Sequence, residues 1–335
     1  MNENKTFSAL RTVMEDNDIV LRALSEYLNR TPRFLDAKTV TEFAGDCKIP
    51  LTDAFRALFV AACGLNLADN ARHRRLERQY FQTGLHCLRT EDYRSDAYLQ
   101  TIRFPAQKRD RWEFCTHAYA PFEPFACSHP VVTPDLREIP QIGYFTEEYV
   151  FPAVLENGVE WMTVTPNEVE TMKEPIRNAH GRVLTLGLGL GYYAFHVLQK
   201  PDVTHLTVIE RDPGAVSLFC DFLLPQFPHT EKLEIVTADA FDFMKNPRQQ
   251  FDSVFCDLWH DASDGLELYL RLRRLERAAA PQTPYSYWIE PSLLSALRRM
   301  VYERITDPAS ALQLRGADPY TILSDSFLRS LDPLA

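Results

Sequence analysis

The sequence lacks long hydrophobic segments, paired cysteines and an excess of positive charge. No apolar run approaches the roughly 18 residues that cross a bilayer, and the N-terminus MNENKTFSAL lacks the basic and apolar regions of a signal peptide. The 7 cysteines are scattered without a CxxC pair, which argues against a disulfide framework and against a zinc site. We therefore predict a cytoplasmic protein with reduced thiols, no membrane partner and no bound metal.

The balance of charge limits the class of partner. The 335 residues include 36 Lys and Arg against 46 Asp and Glu, so the net charge is -10. A protein this acidic has little electrostatic attraction for nucleic acid or anionic lipid. Charged residues make up 24% and hydrophobic residues 45% of the chain, which is typical of a folded globular protein. The composition favours a small-molecule substrate or a protein partner, and a homo-oligomer is one form that such a partner could take.

The hydrophobic pattern divides the chain into three regions. Residues 1–140 are predicted to form a mainly helical N-terminal domain of unknown role, because apolar residues in its first third recur every three or four positions. Prolines after residue 98 indicate an irregular connection with some strand pairing. Residues 141–178 are predicted to form a β-hairpin, with its turn at Asn157-Gly158, and a connecting helix. Residues 179–335 are predicted to form a ligand-binding domain.

The ligand-binding region alternates between short apolar strands and helices. Such alternation predicts an α/β fold with a doubly wound, mostly parallel sheet of Rossmann type. The predicted strands cover residues 182–186, 206–209, 233–236 and 253–256, with a fifth over 285–290. In this fold class a ligand lies beyond the carboxyl ends of the strands, so the residues that follow each strand are the candidate site.

The residues at these strand ends are suited to a nucleoside. Gly187, Gly189 and Gly191 permit a tight turn and a close approach of the ligand to the backbone. The N–H groups that begin the next helix are expected to bind an anion such as a carboxylate. Glu210 is placed to bind the two hydroxyls of a ribose, and Asp239 to accept from an adenine amino group. Because the pattern departs from the GxGxxG of nicotinamide and flavin enzymes, a nucleoside-binding transferase is favoured over an oxidoreductase.

These motifs resemble the class I S-adenosylmethionine-dependent methyltransferase fold, and more narrowly its polyamine (spermidine) synthase branch. LTLGLGLGYY is similar to the glycine motif, VIERDP to the ribose motif and TADAFDF to the adenine motif. The hairpin LENGVEWMTVTPNE is similar to the strand pair and the following D-E that polyamine synthases place just before the nucleotide domain. The resemblance covers about residues 145–290 and implies S-adenosyl-L-methionine as the cofactor. The cofactor-binding residues that it implies are Gly187, Leu188, Gly189, Gly191, Glu210, Arg211, Asp239, Ala240 and Asp257.

Four departures from the polyamine synthases bear on the reaction, one of which is that the segment after the fourth strand reads DLWHDASDG where those enzymes carry D-S-S-D. Leu190 stands where those enzymes usually have an aspartate that helps hold the amine of the decarboxylated cofactor, Trp161 stands where they usually have a glutamine, and their Y-H-E helix is absent. Without the aspartate, we expect intact S-adenosylmethionine to bind more tightly than the decarboxylated form. Methyl transfer to a small-molecule acceptor is therefore the leading expectation. Aminopropyl transfer and a non-catalytic, nucleoside-binding regulatory module are the alternatives.

The loop DLWHDASDG after the fourth strand supplies the candidate catalytic residues. Asp257, His260 and Asp261 are predicted to bind an acceptor, in particular a cationic amine, and to accept its proton, since a nucleophilic nitrogen must lose its charge before it attacks. The alternative is structural: Asp261 and Asp264 stabilise the start of the next helix, and His260 is merely exposed. That alternative applies least to Asp257, which ends the strand.

Overall fold

The computed structural model describes residues 3–245, 250–279, 283–307 and 318–331. These residues fall into two compact units, one within residues 1–92, 118–150 and 297–330, and the other within residues 93–117, 151–296 and 331–335. The domain boundaries predicted from the sequence stay a prediction, because a compact unit is no test of independent folding. None of the helices in the described ranges has the length and apolar character needed to cross a membrane.

Helices predominate at the start of the chain, and strands follow. In chain order these elements are α1 (Glu3–Arg30), α2 (Ala37–Cys47), α3 (Leu51–Ala62), α4 (Ala71–Leu76), a π-helical turn (Glu77–Phe81), α5 (Gln82–Gly84), β1 (Leu85–Leu88), α6 (Thr90–Arg94), α7 (Ala97–Thr101), β2 (Lys108–Arg109), β3 (Trp112–Tyr119), β4 (Phe125–Val132) and β5 (Glu138–Phe145). The helical periodicity of the first third is therefore confirmed. Between residues 108 and 145 the structure has more regular strand than the sequence suggested.

The first unit combines this helical region with a three-stranded sheet. The strand order is β1-β5-β4, with β1 parallel and β4 antiparallel to β5. Pro130 lies in edge strand β4, where the register shifts between Ser128 and Val131, so the proline is accommodated at an irregularity. Phe55 of α3 packs on Tyr144 of β5 with ring centroids 4.1 Å apart, which joins helices and sheet in one apolar core.

The second half of the chain holds a hairpin and alternating strands and helices. In chain order these are β6 (Tyr149–Glu156), β7 (Val159–Thr163), α8 (Pro166–Asn178), β8 (Gly181–Leu186), α9 (Tyr192–Leu198), β9 (Val203–Glu210), α10 (Pro213–Phe222), two 3-10 turns (Leu224–Gln226 and Thr230–Lys232), β10 (Leu233–Thr237), α11 (Ala240–Lys245), β11 (Ser253–Cys256), α12 (Ala262–Ala279), β12 (Tyr285–Tyr287), α13 (Glu290–Thr306), α14 (Pro319–Ile322) and α15 (Asp325–Ser330). Four strands form a second sheet in the order β2-β3-β6-β7.

The hairpin turn is the one predicted. Asn157 and Gly158 connect β6 and β7 with φ angles of 51° and 80°, and positive φ at both positions is what a two-residue hairpin turn of type I′ requires. The backbone N–H of Asn157 donates to the carbonyl of Arg111 at 2.7 Å, which anchors the turn to the segment before β3.

The third sheet is the predicted parallel one. Its order is β10-β9-β8-β11-β12, and every neighbouring pair is parallel. The four predicted strands are present as β8, β9, β10 and β11. The fifth, predicted over residues 285–290, is confirmed only over Tyr285–Tyr287 as β12, because Glu290 already begins α13. The α/β fold class with a doubly wound parallel sheet is therefore confirmed, and the carboxyl ends of β8, β9, β10 and β11 meet at one edge.

A buried arginine joins the strands of the first unit to the C-terminal helices. The side chain of Arg298 on α13 is 0% exposed. Its Nε donates to the carbonyl of Leu323 at 2.8 Å, and its guanidinium pairs with Glu138 of β5 and Asp325 of α15. A buried ion pair of this kind is costly to break from one side, because the partner's charge remains buried and uncompensated.

We expect Arg298→Met to lower the free energy of unfolding by about 3 to 5 kcal/mol. The matched control is Arg299→Met, whose guanidinium is 3.3 Å from Glu138 but part-exposed, and which should cost about 1 kcal/mol or less. Urea denaturation of both variants measures the difference. Equal losses for the two variants would contradict the role given to the buried pair.

Candidate functional site

A cleft of about 160 Å³ lies at the carboxyl edge of the parallel sheet, within the second unit. It forms where the sequence predicted a ligand, beyond the ends of β8, β9, β10 and β11. Most of the predicted site residues line it. These are Gly187, Leu188, Gly189, Glu210, Arg211, Asp239, Ala240, Asp257 and His260. Gly191 and Asp261 are predicted residues that do not line the cleft.

The glycine loop between β8 and α9 depends on its glycines for space. Gly187 and Gly189 have φ angles of 100° and 52°. A Cβ on Gly187 would overlap the carbonyl oxygen of Asp257, and one on Gly189 would overlap the sulfur of Met162. Gly191, with φ of 77°, instead faces the ring of Phe219. Two of the glycines thus shape the cleft, while the third lets α9 pack.

The donors of this loop are largely engaged within the protein. Gly187 N–H donates to the carbonyl of Ile209 at 2.9 Å, and Gly191 N–H to the carbonyl of Leu188 at 2.9 Å. Leu188 N–H donates to Glu210 Oε2 at 3.3 Å. Leu190 N–H donates to the Sδ of Met162 at 3.3 Å. Four of the five backbone N–H groups from Gly187 to Gly191 are therefore engaged within the protein, whereas the donors expected for a carboxylate are the N–H groups that begin α9.

Residues that precede the hairpin also support the loop. Tyr98 of α7 is fully buried and its hydroxyl donates to the carbonyl of Leu190 at 2.5 Å. The Tyr192 hydroxyl donates to Asp96 Oδ2 at 2.9 Å, and His196 Nε2 lies 3.3 Å from Asp96 Oδ1. No sequence pattern predicts this support, because the residues that make these contacts are about 90 or more positions apart in the chain.

The two carboxylates predicted to bind the nucleoside differ in their hydrogen bonds and in their exposure to solvent. Glu210 accepts from the N–H of Leu188 and, at 2.9 Å, from the N–H of Asp212, so its position is fixed by backbone. Asp239 is exposed and accepts from the N–H of Asp242 at 3.0 Å, at the start of α11. Both carboxylates retain oxygen lone pairs toward the cleft, which suits them to hydroxyl and amino donors.

Asp257 is the most perturbed acid that lines the cleft. Its backbone N–H donates to the carbonyl of Leu186 at 2.9 Å, which continues the pairing of β11 with β8. Its Oδ1 is buried and has no hydrogen-bond partner among the described residues. Burial, together with the nearby charge of Glu210, raises the pKa of Asp257 to about 7. A buried polar atom without a partner is rare in folded proteins and indicates a ligand or proton-transfer site.

The other ionisable side chains of the DLWHDASDG loop form hydrogen bonds within the loop itself. Asp264 accepts from the N–H of Asp261 at 3.0 Å and from the N–H of His260 at 3.2 Å, and His260 Nδ1 lies 3.0 Å from Asp264 Oδ2. Asp261 accepts from the N–H of Ser263 at 2.6 Å. The structural alternative therefore accounts for Asp261 and Asp264 at the start of α12, and a catalytic role for Asp261 has no geometric support.

Aromatic rings form one wall of the cleft. Trp161 meets His260 edge to face at 4.2 Å between ring centroids, and Trp112 at 5.8 Å. Trp161 is 36% exposed, so it is not a core residue. The face of an exposed indole attracts cations, which suits this wall to an amine or a sulfonium.

The charge of the cleft is predominantly negative. Arg111 lines it, but its guanidinium is engaged by Glu156 at 2.6 Å and by Asp212. The acids that line the cleft are Glu156, Glu210, Asp212, Asp239 and Asp257, against the cations Arg111 and Arg211. The cleft therefore favours a cationic ligand over an anionic one.

Two residues at the site have no role among the sequence predictions, although Glu168 lies in the segment that resembles the D-E of polyamine synthases. Glu168 on α8 is 8% exposed, and burial, together with the charge of Asp257, raises its pKa well above the usual value. The pattern Thr165-x-x-Glu168 is typical of a helix capping box, so the sequence favours a structural role for Glu168 over a role at the site. Met162 of β7 reaches the glycine loop, and nothing in the sequence marked its thioether as a contact.

Two curated proteins are similar to part of this chain. Polyamine aminopropyltransferase 1 of Streptomyces coelicolor is 31% identical over 118 residues, which is 32% of this chain and 22% of that protein. A polyamine aminopropyltransferase of a Ruegeria species is 36% identical over 85 residues, 24% of this chain and 30% of that protein. The chain thus spans less than a third of the length of the relatives it matches. The similarity supports the polyamine synthase branch of the resemblance rather than a methyltransferase. No protein-family model matches the sequence.

Solved structures show a weaker likeness. The spermidine synthase of Thermotoga maritima aligns at a TM-score of 0.31 and 18% identity, over 46% of this chain and 55% of that one. A spermidine synthase in complex with the transition state analogue AdoDATO aligns at a TM-score of 0.30 and 21% identity, over 39% of this chain and 47% of that one. The fold class stated above rests on the strand order of this chain itself.

We expect Asp257→Asn to stabilise the protein increasingly as the pH rises. The folded state keeps the Asp257 proton up to about pH 7, whereas the unfolded chain loses it near pH 4, so ionisation destabilises the fold across that interval. The gain should be small at about pH 4 and reach at most about 4 kcal/mol at about pH 8. Thermal unfolding at several pH values measures it. A gain that does not depend on pH would contradict the raised pKa.

Proposed function

We propose that this chain is an aminopropyltransferase, which moves an aminopropyl group from decarboxylated S-adenosylmethionine to a small amine. The observation that carries the proposal is Asp257, a part-exposed acid at an acidic, aromatic cleft, whose pKa is raised and whose buried Oδ1 has no hydrogen-bond partner among the described residues. The local similarity to two polyamine aminopropyltransferases supports the same reaction.

The cleft residues fit the nucleoside part of such a cosubstrate. Glu210, fixed by two backbone N–H groups, would accept from the ribose hydroxyls, and Asp239 from the adenine amino group. Gly187 and Gly189 leave the loop without side chains that would obstruct the ligand. The exposed face of Trp161 and the surplus of carboxylates would stabilise the positive charge of the sulfonium.

Asp257 would serve as the proton acceptor. When the cosubstrate is bound, the acceptor nitrogen forms a bond to the carbon next to sulfur, the carbon–sulfur bond breaks, and its electron pair stays on sulfur to leave neutral methylthioadenosine. The proton released by the acceptor nitrogen passes to Asp257. A base is most effective when its pKa lies near the working pH, which a value of about 7 satisfies.

Methyl transfer from intact S-adenosylmethionine, the leading expectation from the sequence, receives less support. A methyl donor carries a carboxylate, and the glycine loop has few N–H groups left to bind one. The acids of the cleft would also repel it. Leu190, which stands where polyamine synthases usually have an aspartate, is the observation that keeps methyl transfer as the second candidate.

We expect the wild-type protein to convert decarboxylated S-adenosylmethionine and a linear diamine to methylthioadenosine and a longer polyamine, with a kcat/KM that increases with pH through about 7, because Asp257 of the free protein must be ionised to accept a proton. Asp257→Asn should lower the rate by about 100-fold or more. Liquid chromatography with mass spectrometry identifies the products. Formation of S-adenosylhomocysteine from intact cofactor, with no methylthioadenosine, would establish methyl transfer instead.

We expect Glu210→Gln to weaken binding of methylthioadenosine by about 10-fold or more, because a charged acceptor for the ribose hydroxyls is lost. Glu234→Gln, on the neighbouring strand β10 but exposed, is the matched control and should bind as the wild type does. Isothermal calorimetry measures both. Tight binding by the wild type without turnover on any diamine, triamine or methyl acceptor would favour the regulatory module.

A further inference from the structure

A second, smaller cavity lies beside the cleft, and we call it the inner cavity. Its volume is about 20 Å³, which is room for about one water molecule. Glu168 and Asp257 both line it. The inner cavity and the cleft share the lining residues Met162, Gly187, Leu188, Leu190 and Asp257. The two spaces are therefore neighbours, and Asp257 contributes to both.

Capping does not account for the Glu168 carboxylate. In a capping box, the glutamate side chain bonds back to the backbone N–H of the first capping residue. Here Thr165 accepts from the N–H of Glu168 at 3.5 Å, so one half of the box is present. The Glu168 carboxylate has no hydrogen bond or ion pair among the described residues, although the side chain is nine-tenths buried. A buried carboxylate in this state destabilises the fold, which indicates a role outside the fold itself.

The wall between the two cavities is adaptable. Met162 is the side chain that approaches Gly189 most closely, and its Sδ accepts from Leu190 N–H at 3.3 Å. A thioether is a weak acceptor, and methionine has three rotatable side-chain bonds, so this side chain can be displaced at small cost. Displacement of Met162 would open the inner cavity to the tail of a ligand in the cleft.

Glu168 and Asp257 together form a site whose electrostatics favour a bound cation. Without a ligand, burial and mutual repulsion favour their neutral forms. An ammonium between them would restore the charged forms and supply hydrogen-bond donors to oxygens that have none, including Asp257 Oδ1. The inner cavity thus offers the anion that is missing at Leu190.

We propose that Glu168, together with Asp257, binds the primary ammonium of the aminopropyl group, and that Glu168 selects the decarboxylated cosubstrate over intact S-adenosylmethionine. This inference rests on the proposed function and assigns the part of the site that sets its specificity. The carboxylate of intact S-adenosylmethionine has the same sign of charge as Glu168 and Asp257, so repulsion would weaken binding of the intact form.

The test compares three probes on Glu168→Gln: decarboxylated S-adenosylmethionine, intact S-adenosylmethionine and methylthioadenosine, which has no ammonium tail. We expect about 10- to 100-fold weaker binding of the decarboxylated form, in keeping with the loss of one charge-assisted contact. Methylthioadenosine should bind as before, which also shows that the variant is folded. Glu174→Gln, an exposed position on the same helix, is the matched control and should change none of the three affinities.

The outcomes separate this inference from the proposed function. Unchanged affinity of Glu168→Gln for the decarboxylated form overturns the role of Glu168, while turnover by the wild type upholds aminopropyl transfer. Failure of the wild type to bind the decarboxylated form overturns both.

Leu190→Asp in the otherwise unchanged chain provides a second test, which holds even if Glu168→Gln does not fold. It places a carboxylate beside an ammonium that is already satisfied, so affinity for the decarboxylated form should rise by less than about 3-fold. A rise of 10-fold or more would show an unsatisfied ammonium and overturn the inference.

Discussion

The close approach of the glycine loop to the end of β11 is the constraint on which the site depends. Gly187 lies so near the backbone of Asp257 that a Cβ would overlap its carbonyl oxygen. Asp257 N–H in turn donates to the carbonyl of Leu186 at 2.9 Å, and Gly187 N–H to the carbonyl of Ile209 at 2.9 Å. The turn that leaves room for a ligand and the acid that would react with it are therefore placed by the same three strands, β8, β9 and β11.

That constraint explains why one oxygen of Asp257 is buried. Parallel strands carry helices on both faces, so the residues that end them are covered except toward the cleft. The Oδ1 of Asp257 is buried at the end of β11, Glu168 is buried on α8, and Glu210 accepts from two backbone N–H groups. In the proposed site, a bound cation would stabilise the ionised forms of both carboxylates, which would link their burial to ligand specificity.

The sheet, the hairpin and the strand-end residues followed from local patterns. Apolar runs bounded by turn residues identified β8, β10 and β11 almost to the residue, and Asn157-Gly158 specified its turn through the φ angles it permits. A role at the site could not be predicted for Glu168 or Met162, because that role depends on contacts between segments that are distant in the sequence. Glu168 carries an ordinary capping signature, and only its burial next to Asp257 distinguishes it from a cap. Asp261, conversely, was predicted to be catalytic because it lies close to Asp257 in the chain. In the structure its carboxylate accepts from the N–H of Ser263 at the start of α12.

If Glu168 and Asp257 bind an ammonium as proposed, both acids become charged when it binds. Calorimetric titration at about pH 6, in buffers with different ionisation enthalpies, counts the protons released on binding. The account predicts release of about one proton or more with decarboxylated S-adenosylmethionine and almost none with methylthioadenosine, because only the former carries the ammonium that favours ionised carboxylates. Equal proton release for the two ligands would contradict it.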